Sequence, residues 1–579
     1  MRKTLSRIID ITRVHKSTII RASIIAIIIE IINLIKPYIV KIAIDDYYSF
    51  GLMIKNGISV FTLMAIYIAL VLIGGAIDFY NRVQTNALGE TILEELRKKV
   101  YKYSQLTNIT FHNQMPAGKM YARIINDVDD VSAMFKDVIA TLFRDIASII
   151  IILTFIFIIN WKIGLMLLII LPFTIKTSKL ISDQINRIYK ASKIVRAKIN
   201  TFLAESIYGA KVIKIFNIQQ EKQKELEDYT LEFKRIRVPA SIFEALFPSF
   251  IYVLQYLSIS VLVYIAALNI FNINLNVGVV YVLVNYITYL YQPINNIVDN
   301  IETIQDAVVS INRLYDMIEE TEYIEQMDQG KSLKNVIGKL EFRNVWFAYK
   351  GENWVLKNIS FVIEPGETIA LVGKTGAGKT TIINLVNRFY EIQKGEILLD
   401  GVNINEYKLK DLRKRVGIVL QDPFIFYGSI KDNVKLHKRI TDSKVKEAIR
   451  LASAESFVAS QTNGINELAQ ERGENFSAGQ KQLIAFARIF AHNPDIFILD
   501  EATANIDTNS ERLIQKSINV LSKEKTAIFI AHRLATIVNV DKILVFKDGE
   551  IIEEGKHSDL LNLGGYYSKL YTAYYQSNQ

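Results

Sequence analysis

The chain has no cysteine among its 579 residues. Disulfides, thiol catalysis and cysteine-based metal sites are therefore excluded. Its six histidines form no cluster with ligand spacing, so nothing in the sequence points to a zinc site. Residues 1–16 are polar and basic, with Arg2, Lys3, Arg7, Arg13 and Lys16, and no small-residue cleavage site follows them. They read as a cytoplasmic flank before a retained first span, not as a signal peptide. The formal net charge is +9. In a soluble chain that balance would suggest a nucleic-acid partner. Here the basic residues sit between apolar segments, and no nucleic-acid partner is expected.

What is present divides into two unlike parts, and the whole is too long for one ordinary soluble core. Up to residue 300 the chain carries repeated apolar stretches; beyond it the pattern alternates as in a soluble α/β domain. Six membrane spans are expected near 17–44, 57–80, 134–159, 163–182, 243–268 and 277–300, each long enough to cross about 30 Å of hydrocarbon as helix. Isoleucine runs such as Ile149-Ile150-Ile151-Ile152 do not alternate as barrel strands would. Pro172 interrupts the fourth span, where a kink satisfied by neighbouring groups is tolerable. The connections 82–133 and 183–242 are long, basic and helical in pattern, while those near 45–56, 160–162 and 269–276 are short and carry little positive charge. The positive-inside rule then puts both termini and both long connections in the cytoplasm of a multi-pass protein of the cell membrane. The long connections are expected to continue the spans beyond the bilayer. Phe111 to Gly118 and Glu205 to Phe216 break them where a short transverse helix can form at the tip.

Charges inside or beside the apolar runs carry two readings. Glu30, Lys36, Asp78, Arg144, Asp145 and Glu244 either line a polar translocation cavity or form interfacial and structural pairs. Glu30 and Asp78 are the leading candidates for substrate contact; Lys36, Arg144 and Glu244 read more readily as pairs. With so few charges spread over six spans, the expected cavity is mainly apolar. The 29 tyrosines are read mostly as interfacial anchors and packing.

The domains are expected at 1–320 (membrane), 321–338 (linker) and 339–579 (nucleotide-binding). In the last, the apolar run Thr368 to Val372 leads into Gly373-Lys374-Thr375-Gly376-Ala377-Gly378-Lys379-Thr380, and Ile382 to Val386 continues as helix. Strand, glycine loop and helix are the context of a Walker A phosphate loop. The glycines let backbone N–H groups turn toward the β-phosphate, and the helix start adds free N–H groups. Lys379 reaches the β- and γ-phosphates, and Thr380 can ligate Mg²⁺. Gln421 ends the strand beginning at Val416, where it can ligate Mg²⁺ and sense occupancy. Ile496 to Leu499 is an apolar strand ending in Asp500-Glu501. Asp500 would hold the Mg²⁺ shell and Glu501 would polarise the attacking water. His532 closes another apolar strand and can contact the γ-phosphate. Tyr349 either stacks on adenine or packs.

Phe476-Ser477-Ala478-Gly479-Gln480 resembles the signature motif of ATP-binding cassette (ABC) transporters, usually Leu-Ser-Gly-Gly-Gln. Glu471-Arg472-Gly473 resembles a loop of the exporters in that family, Ala504-Asn505-Ile506-Asp507 its D-loop, Gln421 its Q-loop and His532 its switch histidine. The motifs stand in family order, and the six spans resemble the exporter-type membrane domain in its half-transporter form. The resemblance therefore implies a six-helix transmembrane domain followed by an α/β P-loop ATPase, binding ATP and Mg²⁺. Nucleotide would be held by Tyr349, by 373–380 with the adjoining Thr381, and by Ser477, Gly479 and Gln480 of a second chain. The tips near 111–120 and 208–217 would be coupling helices. A second half-transporter is required, because two cassettes close head to tail. Phe476 and Ala478 depart from the usual motif and Lys374 stands where serine or proline is common, which favours a heterodimer over a homodimer. The implied function is ATP-driven export of a hydrophobic or amphipathic drug, lipid or peptide; an importing member of this class and an ATP-gated channel are the alternatives. The residues do not choose among substrates.

Overall fold

The computed structural model describes residues 2–50, 60–268, 276–319, 327–500, 507–523, 525–530 and 537–577. The chain divides into two compact units, Met1–Leu106 with Met115–Glu322, and Thr107–Gln114 with Tyr323–Gln579.

The first unit is helical: α1 (Arg2–Val14), α2 (Lys16–Phe50), α3 (Val60–Leu106), then, beyond α4 (Ile109–Gln114), α5 (Ala117–Ala122), α6 (Val128–Ala133), α7 (Ala140–Ile159), α8 (Trp161–Tyr208), α9 (Ala210–Phe216), α10 (Gln219–Ala267), α11 (Val277–Asp299) and α12 (Ile301–Glu319). Among the described residues, six stretches are long and apolar enough to span a membrane: Lys16–Asp45, Val60–Leu106, Ala117–Ile159, Trp161–Tyr208, Gln219–Ala267 and Val277–Asn296. They contain or overlap the six spans expected from sequence. The basic connections are indeed continuations of the spans. The 48 residues of α8 make a rod of about 70 Å, more than twice the hydrocarbon thickness. Helix α8 runs through Pro172 without a break. Two π-helical turns, Arg123–Asp127 and Met134–Ile139, interrupt the third stretch instead.

Isoleucine serves two faces here. Ile152, Ile156, Ile251 and Ile287 are buried with Leu34, Leu262 and Leu290 between helices. Leu72, Ile150, Ile158 and Ile169 are exposed. Each would cost on the order of 1.5–3 kcal/mol facing water and nothing facing lipid. Tyr286, buried between the helices, is paired: its Oη donates to Leu34 O at 2.8 Å.

In the second unit the strands are β1 (Leu340–Ala348), β2 (Trp354–Ile363), β3 (Thr368–Gly373), β4 (Lys394–Leu399), β5 (Val402–Asn403), β6 (Val416–Val419), β7 (Gly428–Ser429), β8 (Leu468–Ala469), β9 (Ile496–Asp500), β10 (Thr526–Ile530), β11 (Lys542–Lys547) and β12 (Glu550–Gly555). One antiparallel sheet has the order β2-β1-β4-β5; the main sheet has the order β12-β11-β3-β10-β9-β6. In the main sheet only β12 is antiparallel. Strands buried on both faces need unbroken apolar runs, and Ile369, Ala370, Ile498 and Ile528 have no exposed surface. Residues 331–339 lie along this unit, where Asp400 accepts from the N–H groups of Ile337, Gly338 and Lys339.

In the first unit α1 is clasped to α12. Arg7 is buried and donates to both carboxylate oxygens of Glu319 at 3.2 and 2.9 Å, to Asp316 at 2.9 Å and to Asn312 Oδ1 at 2.9 Å. Hydrogen bonds from Arg7, then from Lys3, hold the Glu319 carboxyl down to about 2. A carboxylate with a depressed pKa stabilises the fold above its ordinary value of 4.5 and loses that contribution as pH falls toward 2. Thermal unfolding should therefore show an acid-side loss below pH 4.5 that is smaller in Glu319→Gln. Arg7→Ala should lower the midpoint by several degrees at neutral pH. An unchanged acid limb in Glu319→Gln would contradict the clasp.

Candidate nucleotide site and transport cavity

Strand β3 runs into the glycine loop and then into the helix Lys379–Val386. The loop needs its glycines. Gly378 caps the helix at φ 101°, and a Cβ there would lie 2.6 Å from Leu356 Cδ2. At Gly376, φ 86°, a Cβ would meet nothing within 4 Å, because the loop arches over open space. The Lys379 ammonium is folded across the loop, donating to Gly373 O at 2.6 Å and Lys374 O at 3.0 Å. It closes the cradle while its side chain is buried. Thr375 and Thr380 are exposed at the mouth. A glycine loop that opens a helix, with a buried cation folded across it, fits a polyphosphate.

The strand order brings the other parts near. Strand β10 lies between β3 and β9, pairing Ile530 with both Leu371 and Asp500. Asp500 thus ends β9 level with the last turn of chain before the loop. Gln421 is exposed just after β6, which neighbours β9. Glu501, Ala504 to Ile506 and His532 lie outside the described residues. Asp507 caps the helix Thr508–Leu521 by accepting from Ser510 N at 2.9 Å.

Tyr349 is exposed, with its hydroxyl 3.2 Å from Thr381 Oγ1. Thr381 is buried, and its side chain tethers that tyrosine to the loop helix. Tyr349 also meets Tyr390 edge-on at 4.9 Å, and Asn113 Nδ2 on α4 donates to Tyr390 Oη at 2.6 Å. Residues 109–114, one of the two tips marked by the sequence, therefore reach the aromatic platform through Tyr390, a residue that sequence reasoning passed over.

Ser477 is the N-cap of the helix Ala478–His492 in a reciprocal capping box. Its Oγ accepts from Gln480 N at 3.3 Å, and Gln480 Oε1 accepts from Ser477 N at 2.9 Å. Gln480 Oε1 thereby helps to shape the helix start. Phe476 is buried against Phe457 at 5.5 Å, so the unusual residue is a core residue. Ala478 and Ser477 are exposed, and Gly479 is buried.

Two further residues of that helix were not legible as functional. Gln482 Nε2 donates to Leu420 O at 3.1 Å and to Gln421 O at 2.7 Å. Arg488 donates to Phe424 O and Asn433 O, both at 2.7 Å, and burial pushes its guanidinium down to about 10, still cationic at neutral pH. The signature helix thus holds the backbone of the 420–433 segment.

In the first unit, Glu30, Lys36, Asp78, Arg144 and Asp145 all line one cavity of about 580 Å³ between α2, α3, α7 and α11. This corrects the expectation of an apolar cavity with few charges. The charges lie on three helices, Glu30 and Lys36 on α2, Asp78 on α3, Arg144 and Asp145 on α7, and only packing collects them. Glu244 lies outside it and pairs with Arg237 at 2.9 Å, the structural alternative weighed for it.

Fold and site together define a P-loop nucleotide-hydrolysing domain carried by a six-span membrane domain. Family models for the ABC transporter transmembrane region and for the ABC transporter match residues 19–294 and 356–504. The putative ABC transporter ATP-binding protein exp8 of Streptococcus pneumoniae is 34% identical over 547 residues, 94% of this chain and 92% of that one. The probable multidrug resistance ABC transporter ATP-binding/permease protein YheH of Bacillus subtilis is 37% identical over 83% of this chain and 72% of its own length. The ATP-dependent lipid A-core flippase of Syntrophus aciditrophicus is 28% identical over 99% and 95%. The structure of a bacterial Atm1-family ABC exporter with ATP bound shares the fold, with TM-score 0.82 at 24% identity over 96% of this chain and 98% of that one. The chain belongs to the ABC transporter family, with the membrane region and the ATPase fused. It is a multi-pass membrane protein whose cytoplasmic ATPase domain is coupled to transport.

Gln482 offers a direct check on the link to the 420–433 segment. Gln482→Leu orphans up to two carbonyl oxygens but also removes Oε1, a buried acceptor with no partner of its own. The net cost should be about 1 kcal/mol. Amide hydrogen exchange at 421–426 should then accelerate selectively, whereas uniform exchange across the domain would contradict the positioning role.

Proposed function

We propose that this chain is one half of an exporter that moves an amphipathic substrate out of the cytoplasm or the inner leaflet by ATP-driven alternating access. The observation that carries the reading is the parallel sheet. It sets the loop 373–380 and Asp500, which Glu501 follows in sequence, at the same strand ends, on a chain that also supplies six spans. Lys379 and the loop N–H groups hold the β- and γ-phosphates, and Tyr349 stacks on the adenine. Mg²⁺, when bound, neutralises charge between the phosphates. Thr380, Asp500 and Gln421 are the side chains that would hold it, in keeping with an ion that takes few protein ligands beside phosphate oxygens. Glu501 orients and deprotonates the attacking water, and His532 touches the γ-phosphate.

The site is incomplete in one chain. Ser477 with the first turn of its helix closes over the γ-phosphate of a second half-transporter, so hydrolysis requires a dimer. At the tip where α8 gives way to α9, Tyr208, Ile215 and Phe216 are exposed, and an apolar tip of this kind favours cover by a partner. Ala478 places a methyl at the exposed start of the signature helix, where a phosphate must approach. That favours a heterodimer in which this chain supplies the competent Walker residues and a weaker signature. The relatives named for multidrug resistance and for lipid A-core flipping support a hydrophobic or amphipathic cargo.

Purified protein in lipid should hydrolyse Mg·ATP. Glu501→Gln should keep nucleotide affinity and lose turnover by about 10²–10⁴-fold, the usual weight of a general base; normal turnover would sink the role of Glu501. Lys379→Ala should weaken ATP binding at least tenfold in a fluorescent-nucleotide titration. Co-purification should yield a second half-transporter of different mass, and a lone homodimer with full activity would refute the heterodimer.

A further inference from the structure

The cavity in the membrane unit is electrically balanced, but its charges are not all paired. Its wall holds three acids and three bases. Arg82 Nε donates to Asp78 Oδ2 at 2.8 Å, one turn away. Arg144 lies 3.2 Å from Asp145, which also accepts from Asn296 Nδ2. These four cancel in place. Glu30 and Lys36 remain. Glu30 accepts from Ser148 Oγ at 2.7 Å, and the Lys36 ammonium donates to Asn33 Oδ1 at 3.0 Å. Among the described residues neither has an oppositely charged partner.

Both residues sit on α2, six positions apart, with charged groups set along about 9 Å of helix axis. Lys36 is given room by Gly74 of α3, where an added Cβ would stand 3.7 Å from Nζ. An unpaired acid and an unpaired base in one membrane cavity are costly unless something satisfies them. A purely apolar ligand would strip water from both and return nothing. A simple cation or anion would satisfy one and strand the other. A ligand with an ammonium and an anionic group several ångström apart satisfies both.

We propose that the cavity binds a zwitterion, its ammonium at Glu30 and its anionic group at Lys36. The proposal rests on the transport reading and narrows its amphipathic cargo to one with a dipolar head. Two sources share that chemistry: the phosphoethanolamine head of a lipid, and a small soluble zwitterion such as a peptide with free ends.

The test uses the purified full-length transporter, with any partner that co-purifies, in nanodiscs of phosphatidylglycerol, which has no ammonium group. Equilibrium binding is measured for radiolabelled leucyl-leucine, its N-acetyl form and its C-terminal amide, and for dihexanoyl phosphatidylethanolamine and its N-acetyl form. At least one zwitterion should bind about tenfold or more tightly than each of its single-charge derivatives, and the probe that discriminates identifies the source. Glu30→Gln should erase discrimination against the N-acetyl form, and Lys36→Gln that against the amide. Equal affinity for all forms in the unmodified protein, or no saturable binding by either probe, would overturn the proposal whatever the variants do. Mg·ATP hydrolysis by the same preparation separates the two readings. Hydrolysis without discrimination refutes the zwitterion and leaves the transporter. Discrimination without hydrolysis supports the ligand and refutes ATP-driven transport.

Discussion

The pairing of β10 between β3 and β9 is the constraint on which the rest depends. Parallel strands lie about 4.8 Å apart with a fixed register, so matching Ile530 to both Leu371 and Asp500 sets how far the acid stands from the phosphate loop. The loop and the acid are separated by more than 120 positions of chain, and the segment between them includes the signature helix and its capping box. A one-residue slip of β9 would turn Asp500 to the other face of the sheet. The side chains of β3, β9 and β10 are packed into the cores on both faces of the sheet, and that packing resists the slip.

Around this sheet, side chains tie neighbouring segments to one another. Gln482 and Arg488 tie the signature helix to the 420–433 backbone. Asn113, Tyr390, Tyr349 and Thr381 form a chain of contacts from α4 to the loop helix. A two-state change needs contacts that differ between the states, and both sets lie beside groups that a nucleotide would touch. In the membrane unit the corresponding device is electrostatic: two ion pairs closed within the cavity wall, and one acid and one base left open to it.

Much of this was legible in the chain, and the part that was not has a physical reason. Gly373 to Thr380, the Asp500 strand end and the signature segment are local patterns, each needing only its own neighbours to be recognised. The six spans follow from length and hydropathy, and their extension into α3, α8 and α10 follows from helical pattern without breaks. Thr381 and Gln480 were grouped with the nucleotide contacts from the motifs they adjoin or end; that their side chains hold Tyr349 and the helix cap was not legible. A polar cavity was one of two readings of the charges in the spans, and the sequence could not choose between them, because Glu30, Asp78 and Asp145 lie far apart on three different helices. Gln482, Arg488 and Tyr390 were missed for the same reason: a polar side chain does not announce in the sequence which distant segment it will meet. Glu501 and His532 lie outside the described residues and stay as proposals.

The central claim is that nucleotide at the loop changes the side of the membrane to which the cavity opens. The absence of native cysteine makes a direct measurement simple. Gly75 lines the cavity, and a side chain there meets nothing within 4 Å, so Gly75→Cys is the sole thiol on a chain with room to react. Labelling by a membrane-impermeant maleimide, added to one side of the bilayer or the other, is compared without nucleotide and with Mg·ATP in the Glu501→Gln background. The account predicts that reactivity moves from the cytoplasmic to the outer side when ATP is bound. Reactivity from the same side in both states would contradict it.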